Sequence, residues 1–267
     1  MYKKYLTAIA FLSLGLASAG CNSTKEAEEA TPTDPKVLFS EGIEEINQGN
    51  YNTAVSSFET LEKEHPASEL APEAQVRRAY SQYLDGKYDD ALITIDDFTK
   101  QYPVHESAPY MYYLKALCYY DQIVDVGRDQ HLSFKAIEAL NELIARYPDS
   151  SYARDAKLKV EYVHNILAGK EMDIGNFYQK KNHMIAALIR YKTVVEQYQT
   201  SIFTPEALYR MVEIYYTLGD VDQAKKYAAV LGYNYPDSEW YSKAYALVET
   251  KTQGAQRSWY HELGKIW

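Results

Sequence analysis

A single interval recurs along this chain and limits what it can fold into more than any other feature. Gly49-Asn50-Tyr51-Asn52-Thr53-Ala54 runs on to His65-Pro66. Gly86-Lys87-Tyr88-Asp89-Asp90-Ala91 runs on to Tyr102-Pro103, and Gly219-Asp220-Val221-Asp222-Gln223-Ala224 to Tyr235-Pro236. Each alanine lies 12 residues before its proline. Two weaker copies keep the spacing: Ala136 to Pro148, and Ala187 to Gln199, where Tyr198 remains but the proline is lost. A fixed interval repeated this often signals a stack of like units.

The residue types explain the unit. A small residue early in a helix lets a neighbouring helix come close. Proline cannot continue a helix and so ends the unit. Glycine ahead of the tyrosine tolerates the left-handed backbone that ends the preceding helix. Pro35, Pro72 and Pro205 each precede their alanine by 19 residues. That places proline at the first position of the unit's first helix, where its missing N–H does no harm. The unit is helix–turn–helix with a period of about 34 residues, the tetratricopeptide period. The expected fold is all-α: a solenoid of five helix–turn–helix repeats with a C-terminal capping helix.

Taken in order, 1–20 reads as a targeting segment: Lys3 and Lys4, then an apolar run ending in small residues. Ala19-Gly20-Cys21 resembles a bacterial lipobox, with Ser18 where such motifs usually carry leucine. In that reading Cys21 is acylated and becomes the first residue. The alternative is an ordinary secretory cut near Ala19 with Cys21 incidental. Asn22 after the cysteine resembles lipoproteins sent to the outer membrane. Loss of 1–20 removes two lysines and takes the formal charge from −9 to −11. An acidic chain lacks the basic footprint that nucleic-acid binding requires.

Residues 21–34 form a polar, Thr/Pro-containing tether. The solenoid follows over 35–250, with repeats at about 35–68, 69–106, 107–150, 151–201 and 202–237. Asp34 is the expected N-cap of the first helix. Repeat three carries extra residues around Asp125–Gln130, so Ala136 arrives eight residues late. Repeat four has a long first helix, about Tyr152 to Lys181, interrupted or bent near Gly169 or Gly175. Its second helix is expected over His183 to Tyr198. Asp237-Ser238 caps a last helix, 238–250, which covers the exposed end of the stack. The tail 251–267 sets Trp259, Leu263 and Trp267 four residues apart, as a docking helix or as an untidy end.

No catalytic constellation emerges. There is no phosphate-cradling glycine loop and no G-x-S-x-G elbow. The six histidines stand singly. Glu161 to His164 has E-x-x-H spacing; carboxylate-bridged metal sites pair such motifs with further carboxylates, and the motif on a helix more often decorates a surface or core. Cys118 sits in an apolar helix and reads as a small core residue. No cofactor is expected beyond a diacylglycerol and N-acyl lipid on Cys21.

A surface remains. In tetratricopeptide folds the first helices line the concave side. Counting inward positions from each proline gives Phe39, Ile43 and Ile46, then Val76, Tyr80 and Tyr83, then Tyr110, Tyr113, Leu117 and Tyr120. Phe39, Tyr80, Tyr83, Tyr113 and Tyr120 are the candidate groove residues for a peptide partner. The competing reading is that these rings pack between repeats and never meet a ligand.

The whole resembles the BamD family, lipoproteins of the outer-membrane β-barrel assembly machine. The resemblance covers roughly 35–248. It rests on Cys21, the five repeats and the enlarged middle. More specific are Arg128-Asp129-Gln130, Ala139-Leu140 and Arg146-Tyr147-Pro148-Asp149-Ser150-Ser151-Tyr152. Leu167-Ala168-Gly169-Lys170-Glu171 with Gly175-Asn176-Phe177-Tyr178 is similar to the family's fourth repeat. The resemblance implies a non-enzymatic subunit on the periplasmic face of the outer membrane, anchored through Cys21. It implies BamA and other Bam lipoproteins as partners, BamA through the C-terminal repeats. It implies that unfolded outer-membrane β-barrel proteins present an aromatic C-terminal signal to the N-terminal repeats. Two other classes compete: a scaffold lipoprotein organising envelope or division proteins, and a peptidoglycan-active or metal-dependent enzyme.

Overall fold

The computed structural model describes residues 33–123 and 130–249. The expectations for 1–20, Cys21, nearly all of the tether, Asp125–Asp129 and the 251–267 tail lie outside the described residues.

The described residues form helices joined by turns, with no strand among them. They pair as α1 (Pro35–Gln48) with α2 (Tyr51–Glu64), and α3 (Ala71–Leu84) with α4 (Tyr88–Gln101). Next come α5 (Ala108–Tyr120) with α6 (His131–Arg146), α7 (Ser151–Lys180) with α8 (Met184–Gln197), and α9 (Thr204–Thr217) with α10 (Val221–Asn234). A last helix, α11, covers 239–249. Each helix packs on the next, and the first helices also touch in series, α1 on α3, α3 on α5 and α5 on α7. This is an all-α tetratricopeptide-repeat solenoid with a capping helix.

The repeated alanines sit where the two helices of each repeat meet. Ala54, Ala91, Ala136, Ala187 and Ala224 are wholly buried. Each repeat builds a core with the first helix of the next. Ala54, Phe58 and Leu61 of α2 pack with Ala71 and Ala74 of α3, and Ile95 and Phe98 of α4 with Met111 and Leu114 of α5. Burying one such ring or leucine contributes about 1.5–3 kcal/mol. Glycines inside helices make room for rings. A Cβ on Gly42 would lie 2.5 Å from Phe58, and one on Gly175 2.5 Å from Tyr191. Trp240 and Tyr241 of α11 pack on the core of α9 and α10, so the solenoid's last apolar face is covered.

The turn within a repeat follows one design. Gly49, Gly86 and Gly219 take φ of 81°, 73° and 83°. The next N–H then reaches back five residues: Asn50 donates to the Glu45 carbonyl at 2.8 Å, Lys87 to Gln82 at 2.9 Å, Asp220 to Tyr215 at 2.9 Å. The Schellman pairing satisfies carbonyls that the helix end would leave open. Repeat four does the same with Asn182 at φ 62° and a 2.9 Å bond from His183 to the Tyr178 carbonyl. Asparagine tolerates the left-handed region because its short amide bonds locally.

Three sequence expectations need correction. First, α7 is neither interrupted at Gly169 nor at Gly175; it is one helix of 30 residues. Both glycines are buried, and Gly175 yields space to Tyr191 rather than breaking the helix. Second, only Pro35 opens its helix; Pro72, Pro109 and Pro205 each follow the first helical residue. The first-turn N–H groups are unpaired within a helix, so proline is harmless at either place. Third, proline is not what ends the second helix. Tyr198 precedes Gln199 yet takes φ −126°, ψ 47°, close to the φ −130°, ψ 55° of His65 before Pro66. Its carbonyl accepts from Ser201 N–H and Thr204 Oγ1, both at 2.9 Å, and these bonds hold the stop.

α7 belongs to two cores. Ala156 packs with Ala139, Leu140 and Leu143 of α6. Further along, Val163, Leu167 and Met172 pack with Ala187, Tyr191 and Val194 of α8 and Met211 of α9.

Candidate binding groove

Three first helices, α3, α5 and the start of α7, lie side by side and carry the tyrosines. Tyr80 and Tyr83 are one turn apart on α3; Tyr110 and Tyr113 are one turn apart on α5. Side chains three apart share a helix face. The rings form a chain of contacts. Tyr83 and Tyr80 stack at 6.4 Å, Tyr80 meets Tyr110 at 6.5 Å, Tyr110 meets Tyr152 at 5.6 Å, and Tyr152 meets Tyr113 at 5.2 Å.

A groove of about 1000 Å³ opens along this chain. Val76, Tyr80, Tyr83, Tyr110, Leu114, Leu117 and Tyr152 line it, and Glu69, Glu73, Arg77, His105, Glu106 and Ser107 add polar groups. Arg77 Nη2 lies 2.9 Å from Glu73 Oε1. His105 is held in place: its Nδ1 accepts the Ser107 N–H at 3.1 Å and its ring meets Phe98 edge-on at 5.5 Å.

The five candidate rings separate. Tyr80 and Tyr83 line the groove and remain half-buried. Tyr113 packs on Tyr152 and donates its hydroxyl to Asp155, which also pairs with Lys159 at 3.2 Å. Tyr120 sits against Tyr162 at 5.8 Å with the Lys159 ammonium 5.0 Å from its ring centre. Phe39 meets Phe58 edge-on at 5.8 Å within the first repeat's core. Phe39, Tyr113 and Tyr120 are not among the groove's lining residues. Cys21 lies outside the described residues.

The hydroxyls are kept protonated. Burial, then a hydrogen bond to Asp121, raises the Tyr83 phenol above its ordinary value. Burial does the same for Tyr110. The Tyr113 bond holds the Asp155 carboxyl below the usual carboxylate range. These groups offer ring faces and neutral hydroxyls, which suit peptide contact rather than proton transfer. Elsewhere, Cys118 is wholly buried and burial pushes its thiol up to about 12, so it offers no thiolate at neutral pH. His164 packs on Tyr198 at 5.7 Å. Among the described residues no group of three His, Cys, Asp or Glu side chains is placed to hold a metal.

The proline count missed Tyr152 because repeat four has no proline to count from. It missed Glu69 and Glu106 because they stand on turns, ahead of the helices that were counted. Their sequence signal was there: each lies two residues before its helix, at Ala71 and Ala108.

Fold and groove together define a tetratricopeptide-repeat protein with an aromatic channel on its first helices. Residues 31–231 match the family described as "YfiO: Outer membrane lipoprotein". The chain belongs to that family. It is 42% identical over 240 residues to the outer membrane protein assembly factor BamD of Rickettsia prowazekii, across 90% of this chain and 95% of that one. It is also 42% identical over 244 residues to BamD of Caulobacter vibrioides, covering 90% of this chain and 79% of the relative. BamD of Neisseria meningitidis serogroup A is 30% identical over 248 residues, with 88% and 93% covered. These names describe assembly rather than catalysis. Among the described residues no helix is long and apolar enough to cross a membrane.

Proposed function

We propose that this chain is a non-enzymatic outer-membrane protein assembly factor, a lipoprotein component of the Bam complex that assists insertion of β-barrel proteins. One observation carries the reading: identity to BamD of 42% over 90% of this chain and nearly the whole relative. The fold suits the task. A stack of helix pairs presents an extended surface, and half-buried rings supply contact area at little rotamer cost.

In this reading Cys21 carries the diacylglycerol and N-acyl chains that anchor the protein to the outer membrane on its periplasmic face. The groove between α3 and α5 takes the aromatic C-terminal signal of an unfolded barrel protein. Tyr80, Tyr83 and Tyr110 are its contact residues. Tyr113 supports the groove wall through Tyr152 and Asp155. The later repeats hold BamA and the other Bam lipoproteins.

Two experiments test this. Tagged protein, drawn from detergent-solubilised membranes, should bring BamA with it; a pull-down without BamA overturns the reading. A peptide bearing the barrel signal should bind the wild type, and Tyr80→Ala and Tyr83→Ala should each weaken it by about tenfold, as the loss of a buried ring contact would. Unchanged affinity in both variants removes the groove from the mechanism.

A further inference from the structure

The groove is unbalanced in charge. Its lining holds three glutamates, Glu69, Glu73 and Glu106, against one arginine, Arg77. That arginine is committed to Glu73 at 2.9 Å. The Glu69 and Glu106 side chains are exposed and have no ion-pair or hydrogen-bond partner among the described residues. An acid ahead of a helix stabilises that helix by itself, so these two carboxylates alone assign nothing. Their company is what matters. Tyr80, Tyr110 and Tyr152 line the same space, and a tyrosine face attracts a cation and repels an anion.

We propose that the groove sorts aromatic peptides by charge. It favours a segment with arginine or lysine beside its ring and disfavours one with an acid there. The inference rests on the peptide-binding reading above and adds the chemical class of peptide. A guanidinium satisfies two conditions at once: it neutralises the open carboxylates and stacks flat on a phenol ring. An acidic peptide meets uncompensated like charge, which is how an interface rejects a wrong partner. The formal charge of the whole chain, −9, draws the same ligand from a distance.

The test uses the mature, lipidated chain in detergent. Three short peptides of equal length end in the same aromatic residue and differ at one neighbouring position, as arginine, glutamine or glutamate. Fluorescence anisotropy should rank them in that order, with arginine about three- to tenfold tighter than glutamine, the scale of an exposed cation–π contact aided by nearby charge. The spread should narrow as salt rises, because the carboxylates are exposed. The double variant Glu69→Gln with Glu106→Gln should bring the three peptides close together. It should change the glutamine peptide's affinity less than the arginine peptide's and leave the helical circular dichroism unchanged. Equal binding of all three peptides to the wild type, or a ranking that survives in the double variant, overturns charge sorting and leaves the groove itself standing. Binding of none overturns both.

Discussion

α3 and α4 each run 14 residues and meet across Asp85-Gly86-Lys87. α7 runs 30 residues before it meets α8 across Lys181-Asn182-His183. Repeat two is set by short-range rules: a left-handed glycine, a buried alanine, a proline after the stop. Repeat four keeps the buried alanine, Ala187, and keeps the geometry of the other two devices while changing their residues. Asn182 stands for glycine, and Gln199 stands for proline. What replaces the missing local preference is packing. The Tyr191 ring fills the space over Gly175, and its hydroxyl lies 2.8 Å from Asn176 Oδ1 and 2.7 Å from Gln179 Oε1. Backbone form in a repeat can therefore be held by local residue preference or by packing between the unit's own two helices.

The sharpest way to separate the two modes is to remove one large ring from each. Phe58→Ala in repeat one should cost about 3–5 kcal/mol in urea unfolding, the usual price of an emptied aromatic site. Tyr191→Ala should sit at the upper end of that range, since it also leaves Asn176 and Gln179 without a partner. Equal losses would mean that the polar cluster adds nothing.

Next come the glycines. Gly175→Ala forces a methyl toward Tyr191 and should destabilise by about 1–3 kcal/mol through overpacking. Gly86→Ala meets open space but a φ of 73°, and should lose about 1–2 kcal/mol through backbone strain alone. Trimming the facing ring with Tyr191→Leu should lessen the first loss, and no change in any side chain should lessen the second. Asn182→Gly should be neutral or mildly stabilising, because glycine relieves the φ of 62°.

Restoring the proline is a smaller step. Gln199→Pro should stabilise by about 0.4–1 kcal/mol, read as a raised melting temperature, because Tyr198 already has the backbone form seen before Pro66. A fall in melting temperature would show that Gln199 contributes a contact of its own.

The smallest effect is a pH dependence at His164 of repeat four. Burial holds the His164 imidazole below its ordinary value of 6.5. The folded state therefore resists a proton that the unfolded chain accepts. This contribution is complete above 6.5 and is lost as pH falls through the depressed folded value. The urea midpoint should drop more steeply on acidification in the wild type than in His164→Gln.

The same contrast explains what was readable in advance. The alanine–proline interval and the three turn glycines each act on their own neighbours, so a linear string exposes them. The helix pairs followed directly. Glycine in a helix suggests a break, and the use of Gly175 is visible only once Tyr191 has folded over it. Counting along a helix sets Tyr80 and Tyr83 inward, and both line the groove. Phe39, Tyr113 and Tyr120 fell off the groove because counting gives a direction and not a depth. Phe58, Tyr152 and Tyr162 reach them from other helices.

α7 spans about 45 Å at 1.5 Å per residue. Its first turns carry Tyr152 at the groove and Asp155 against Tyr113, and its later turns are clamped by α8 and α9. A single 30-residue helix gripped at both ends behaves as a crossbeam. The tyrosine wall at its near end and the core of α8 and α9 at its far end are therefore carried by one continuous helix.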